Sequence, residues 1–455
     1  VKAKRFLLGS LVLGLLPLLS ACGNLLQAQK PPVEVLAPQN GYYEAHPGEE
    51  KTLTVRLAPG AEGAQVYLRL SDPCAQGKAY CPGWDATRYP GVEHTRETFT
   101  LTASSPEATF RFAVAQDALP QGPFKWEVVA VDGQGREWTT PVYLRILQPG
   151  DTPPLEAINF WRGAAGVNPF PREDLERSFG CWQYRRYAEK NRDNPDPPHS
   201  ADPSKPFYTP EGDLCARTSS LGGYGFCSTN PQQLVPQSVR VGVAGFIAVP
   251  LHRPIWITEF ASPRPFWFAQ YFERKDWSGV AGGMCLYGGT AMGVDGSQFL
   301  AREVLFPTPG SEVPIRGRIS EWPNPIEACN ANQAPKPPYR SIQATWQSPV
   351  GLPITIMTSV PFQAVDTEAT YARLVRTSDG AEVPVCALGS TQFWNQDSAA
   401  TNVGIWVLRN YGMLVVVPKD PLDPGQEYEV EVKGLFNGQE KSYRWRFRVA
   451  TAVLW

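Results

Sequence analysis

The amino-acid sequence predicts a multidomain chain in which a β-sandwich, a mixed helix-and-strand domain and a second β-sandwich follow one another. Three observations predict it. Residues 33–148 alternate apolar and polar side chains with period two between turn signals. Helical spacing first enters at Leu155, and strands and turns return after about Pro307. Composition agrees: 40 glycines and 45 prolines against four methionines and four histidines suit short strands and ordered loops better than a helical bundle.

Ahead of the first strand, residues 1–21 have the order of an export signal. Lys2, Lys4 and Arg5 supply positive charge, and Phe6 to Leu19 is almost wholly apolar but shorter than the ~20 residues a bilayer span needs. Leu19-Ser20-Ala21-Cys22 resembles the lipobox of bacterial lipoproteins, with small residues before a cysteine whose sulfur would take the lipid. The expectation is a chain lipidated on Cys22, with residues 22–32 as tether. Two or three acyl chains, at about 0.8 kcal/mol per buried methylene, make a lasting anchor. Gly23, where inner-membrane lipoproteins often carry aspartate, points to the outer membrane or cell surface.

The first sandwich, residues 33–148, rests on alternating runs at 52–57, 65–70, 108–113, 124–130 and 139–146, with Pro59-Gly60 and Asp132-Gly133 as turns. Pro149 to Pro154 reads as a linker. Leu155, Ile158 and Trp161 share one helical face, and Leu175, Phe179 and Trp182 another, with Asp174 as the cap of the second helix. A further helix is expected over about 233–248, and a buried strand over 282–287. In the last part, residues 306–455, strand character falls at 353–358, 404–408, 412–418, 428–433 and 443–449. This part is expected to be a second immunoglobulin-like β-sandwich.

Net charge of −2 excludes a strong electrostatic preference for nucleic acid. With Cys22 assigned to lipid, eight cysteines remain, an even number suited to disulfides outside the cytoplasm. The expected pairs are Cys74–Cys81 and Cys215–Cys227, which close short local loops, and Cys181–Cys285 and Cys329–Cys386, assigned partly by elimination. No C-x-x-C pair argues for zinc. No G-x-S-x-G, H-E-x-x-H or Gly-rich phosphate loop occurs in a supporting context. The aromatic stretch Trp256 to Phe272 reads as a core strand with a hydrophobic loop cover, the functional alternative being a platform for sugars or a membrane.

Four pieces in the middle segment, residues 155–305, resemble the CAP superfamily of cysteine-rich secretory and bacterial SCP-like proteins. They are Leu155-Glu-Ala-Ile-Asn-Phe-Trp-Arg162 with Gly166, the helix from Cys181 to Asn191, His199 with Tyr208-Thr-Pro-Glu-Gly212, and Val249-Pro-Leu-His-Arg253. The resemblance implies an α-β-α sandwich with a cavity of two histidines and two acids. His199, Glu211 and His252 match that set, with Arg253 beside the second histidine, and the second acid has no counterpart between Gln233 and Phe246. A divalent metal held by His199, Glu211 and His252 is the one cofactor the resemblance implies. The missing acid favours a non-enzymatic envelope protein acting in adhesion, surface-layer attachment or ligand binding. Its partners would be the membrane, through lipid, and an envelope polysaccharide or surface protein. The alternative is a metal-dependent or proteolytic enzyme acting on cell-wall or protein substrates.

Overall fold

The computed structural model describes residues 30–454 apart from 39, 198, 297–298, 301, 319–320, 333–334 and 359–362. The expected signal segment, Cys22 and most of the tether lie outside the described residues.

Two sheets, antiparallel but for one edge pair, form the N-terminal β-sandwich. One has strands Val33–Ala37, Glu50–Leu57, Glu107–Val114 and Val92–His94 in that spatial order. Opposite it lie Gln121–Asp132, Ala64–Leu70 and Phe99–Leu101, with Glu137–Ile146 pairing Gln121–Asp132 and Tyr42–Ala45 pairing Glu137–Ile146 in parallel. The alternation seen in sequence is the packing: Leu53, Val55, Phe110 and Phe112 of one sheet and Val66 and Trp126 of the other are buried, while the residues between them are at least partly exposed.

Seven helices follow among the described residues: α1 (Pro154–Ala164), α2 (Leu175–Lys190), α3 (Pro210–Thr218), α4 (Val239–Ala248), α5 (Pro254–Ile257), α6 (Pro325–Asn330) and α7 (Ser398–Asn410). The Asp174 carboxylate accepts the Arg177 N–H at 3.1 Å and starts α2 where the sequence expected. Strands Ser219–Ser228, Met284–Val294 and Phe266–Asp276 pair in that order and then join the N-terminal sheet through Gln270 opposite Gly122, giving an eight-stranded sheet. Gly122, at φ +119°, is needed there: a Cβ would meet the Leu144 carbonyl at 3.1 Å.

That continuity corrects the expected succession of a sandwich, an α-β-α domain and a sandwich. The chain is mainly β, 38% strand against 17% helix, and no separate α-β-α core stands over residues 155–305. The cause is legible in one strand. In Phe266–Asp276, Trp267, Ala269 and Tyr271 point into a core shared with the N-terminal sandwich and α2. Phe266 and Phe268, on the opposite face, join a second core shared with α1, α4 and the C-terminal sheets. A strand buried on both faces binds its two neighbours together. The whole Trp256–Phe272 aromatic set is buried, so it is core and offers no surface platform.

The C-terminal part is two five-stranded sheets facing across the second core. One runs Val304–Phe306, Ile354–Met357, Met413–Pro418, Val385–Leu388, Tyr339–Arg340; the other runs Glu312–Val313, Gln439–Val449, Glu427–Phe436, Thr367–Arg376, Glu382–Val383. The expected strand at 404–408 is instead the middle of α7. Asp397 caps that helix by accepting the Ala399 N–H at 2.8 Å, and Ala400, Gly404, Val407 and Leu408 make a buried stripe of helical period.

Four disulfides are present: Cys74–Cys81, Cys181–Cys215, Cys227–Cys285 and Cys329–Cys386. The expected Cys215–Cys227 and Cys181–Cys285 pairs are corrected. Cys227 and Cys285 sit directly opposite in the antiparallel register, Cα atoms 4.0 Å apart, whereas Cys181 on α2 faces Cys215 on α3 at 5.1 Å. These bonds place the chain in an oxidising compartment outside the cytoplasm. No helix among the described residues is long and apolar enough to cross a membrane.

Candidate functional site

The residues expected to converge do so only in part. Glu211 occupies the first turn of α3, which Pro210 opens and Thr209 caps by accepting the Gly212 N–H at 3.0 Å. It is exposed and borders a cleft with Arg69, Lys125 and Glu176, away from both histidines. In that cleft Arg69 pairs with Glu127 and Lys125 with Glu176, each at 2.7 Å. Arg253 is also withdrawn from chemistry. It is sealed in the core, donating to the carbonyls of Ile247, Ala248 and Pro353 and to Thr355 Oγ1, with its guanidinium 4.2 Å above the Phe306 ring. Desolvation there pulls its pKa down to about 9. It clamps α4 to the C-terminal sheet.

His199 and His252 do share a site. His199, at φ +63°, donates from Nδ1 to the Ala216 carbonyl at 2.9 Å, which leaves Nε2 as the free ring nitrogen. His252 follows α4 and places Nδ1 3.2 Å from Glu321 Oε2, which also accepts the Leu251 N–H at 3.2 Å. The Glu321 side chain is 2% exposed, and its Oε1 is buried without a hydrogen-bond partner among the described residues. Thus the acid beside His252 is Glu321, from the C-terminal part, and Glu211 is not that partner.

Arg318 stands near by, on the short strand Gly317–Arg318 that pairs with Val350–Gly351. It is 1% exposed, and its Nε and Nη2 have no partner among the described residues. Nη1 reaches Asn324 Oδ1 at 3.5 Å. Burial lowers its pKa and the Glu321 charge raises it in part. A buried guanidinium nitrogen and a buried carboxylate oxygen, both unpaired, are expensive, since each lost hydrogen bond to a charged group costs about 1.5–3 kcal/mol.

Two adjoining clefts that share His199, His252 and Trp322 make up the groove. Its inner portion, about 730 Å³, is walled by His199, Gly222, Phe246, His252, Arg318 and Glu321. Its outer portion, about 500 Å³, is bordered by His199, His252, Trp256, Trp322, Val403 and Trp406. Glycines allow the inner wall to close up: a Cβ on Gly222 would approach Thr290 Oγ1 to 2.9 Å, and one on Gly242 would approach Thr290 Cγ2 to 2.9 Å. No group of three His, Cys, Asp or Glu side chains among the described residues is placed to hold a metal ion. With Glu211 in another cleft and His252 Nδ1 on Glu321, the expected ligand set of His199, Glu211 and His252 does not form. Sequence reading missed Arg318, Glu321 and Trp322 because no motif surrounds them; the only signal was charge and indole together in Arg316-Gly-Arg318 and Glu321-Trp-Pro323.

No family model matches the chain, and no curated protein matches it. Among solved structures, the periplasmic chaperone SfaE aligns at 16% identity and a TM-score of 0.21, covering 28% of this chain and 62% of its own. The PapD-like domain 7 of human CEP192 aligns at 16% identity and 0.20, covering 31% and 96%. The YadV chaperone aligns at 6% identity and 0.20, covering 91% and 99%. At these scores none of them bears on the fold or function of this chain.

Proposed function

We propose that this is a lipid-anchored envelope protein, tethered through Cys22, that holds a ligand in the His199–His252–Glu321 groove without transforming it. The observation that carries the reading is the groove itself: an open, largely apolar channel lined by buried Arg318 and Glu321, of which Arg318 Nε and Nη2 and Glu321 Oε1 have no partner among the described residues. Groups in that state favour a ligand that satisfies them, and binding energy follows from the desolvation already suffered in the free protein.

The anchor half of the reading is tested by growing the expressing cells with labelled palmitate. Label in the wild-type chain and none in Cys22→Ser supports it; equal label, or none in either, contradicts it. The binding half is tested by incubating the purified chain with isolated envelope material. Retention lost in Glu321→Gln is expected, and turnover abolished by His252→Ala would refute a non-catalytic role.

A further inference from the structure

The two portions of the groove differ in character, and the difference narrows what fits them. At the mouth stand two indoles, Trp406 of α7 at 57% exposure and Trp322 at 42%, both bordering the outer portion. α7 buries its Ala400, Gly404, Val407 and Leu408 stripe and leaves Val403 and Trp406 outward. Exposed large apolar side chains cost solvation unless something covers them. Flat indole faces suit a ligand with a flat C–H face of its own.

The inner end adds the second requirement. Arg318 Nη2 can only donate, and a carboxylate oxygen in the place of Glu321 Oε1 accepts. An anion would answer the guanidinium and be repelled by the carboxylate, while an alkyl chain would answer neither. A hydroxyl accepts from one and donates to the other at once. Apolar C–H faces for the indoles and hydroxyls at the edge for the charged pair are together the chemistry of a pyranose ring.

Resting on the binding role proposed above, we infer that the groove takes a neutral glycan chain, whose sugar rings lie on Trp322 and Trp406 and whose inner hydroxyls bridge Arg318 and Glu321. His252, whose Nδ1 donates to Glu321, borders the path and leaves Nε2 to accept.

The test uses the purified chain titrated calorimetrically with soluble glucose, N-acetylglucosamine and mannose oligomers, with polygalacturonate and an acidic peptide as contrasts. At least one neutral oligomer should bind saturably and quench tryptophan fluorescence. Trp406→Ala and Trp322→Ala, both at exposed positions, should each weaken it about tenfold, with unchanged circular dichroism. Glu321→Gln, which keeps shape but removes the charged acceptor, should weaken it as well. No binding of any neutral oligomer to the folded chain, or wild-type affinity retained in both tryptophan variants, overturns the inference. Saturable binding of the peptide or polygalacturonate alone would also overturn it, while leaving the holding role intact. Shortening of a bound oligomer over time would instead overturn the holding role and leave the glycan groove standing.

Discussion

Asp72 and Arg186 form a fully buried ion pair between the N-terminal sandwich and α2, and removing one partner is the sharpest test of how the first core is joined to the helices. Both side chains have zero exposure. The guanidinium makes a two-pronged contact, with Nη2 donating to Asp72 Oδ1 at 2.9 Å and Nη1 to Oδ2. It is also sandwiched between Trp84 and Trp182, 4.5 and 4.6 Å from their centroids. Asp72→Ala leaves that charge buried and unpaired, which costs about 3–5 kcal/mol. Part of the loss has another source, because Asp72 Oδ1 also accepts the Cys74 N–H at 3.0 Å. Asp72→Asn keeps that acceptor and isolates the charge. The double variant Asp72→Leu/Arg186→Met should recover most of the loss, since well-packed apolar pairs replace buried ion pairs at little cost. Urea unfolding of the oxidised chain, followed by tryptophan fluorescence, measures all three. A loss below about 1 kcal/mol in Asp72→Ala, or a double variant as unstable as the single, would refute the reasoning.

Three further outcomes follow. His94, part-buried beside Trp126, has its pKa pulled from 6.5 to about 4 by desolvation first and by the Arg96 charge second. Because the folded value lies below the unfolded one, the neutral ring stabilises the fold above pH 6.5. That contribution should fade as pH falls toward about 4, and His94→Gln should flatten this part of a pH-resolved unfolding curve. Gly404→Ala puts a Cβ 2.0 Å from the buried Phe393 ring and should lower stability by about 1–3 kcal/mol in urea titration. The Cys227→Ser/Cys285→Ser double variant opens a loop of sequence separation 58 and should cost about 2–5 kcal/mol, read as a lower thermal midpoint; an unchanged midpoint would contradict the pairing.

What could be read from the residues, and what could not, divides along range. Strands such as Glu50–Leu57 and Glu107–Val114 were legible because they alternate over most of their length, and α2 because Asp174 marks its start. α7 was misread because its centre, Gly404-Ile-Trp-Val-Leu408, is apolar enough for a strand; only the wider stripe from Ala400 with the Asp397 cap reveals its period. Disulfide partners are set by tertiary register. Eight cysteines allow roughly a hundred pairings, and local spacing alone favoured Cys215–Cys227 over the cross-strand Cys227–Cys285 bond. The two histidines of the groove were found, but the carboxylate on His252 lies 69 residues further along, beyond any local signal. Glu211 was chosen by its place in a resemblance, while the turn of α3 carries it to a different cleft.

The central claim is that the groove holds its ligand unchanged, and one measurement meets it directly. The purified wild-type chain is incubated with isolated envelope material, and the bound and released fractions are analysed by mass. The account predicts material retained chemically intact, with retention lost in Glu321→Gln and in Trp406→Ala. New reducing ends or peptide termini that appear with the wild-type chain and vanish with His252→Ala would contradict it.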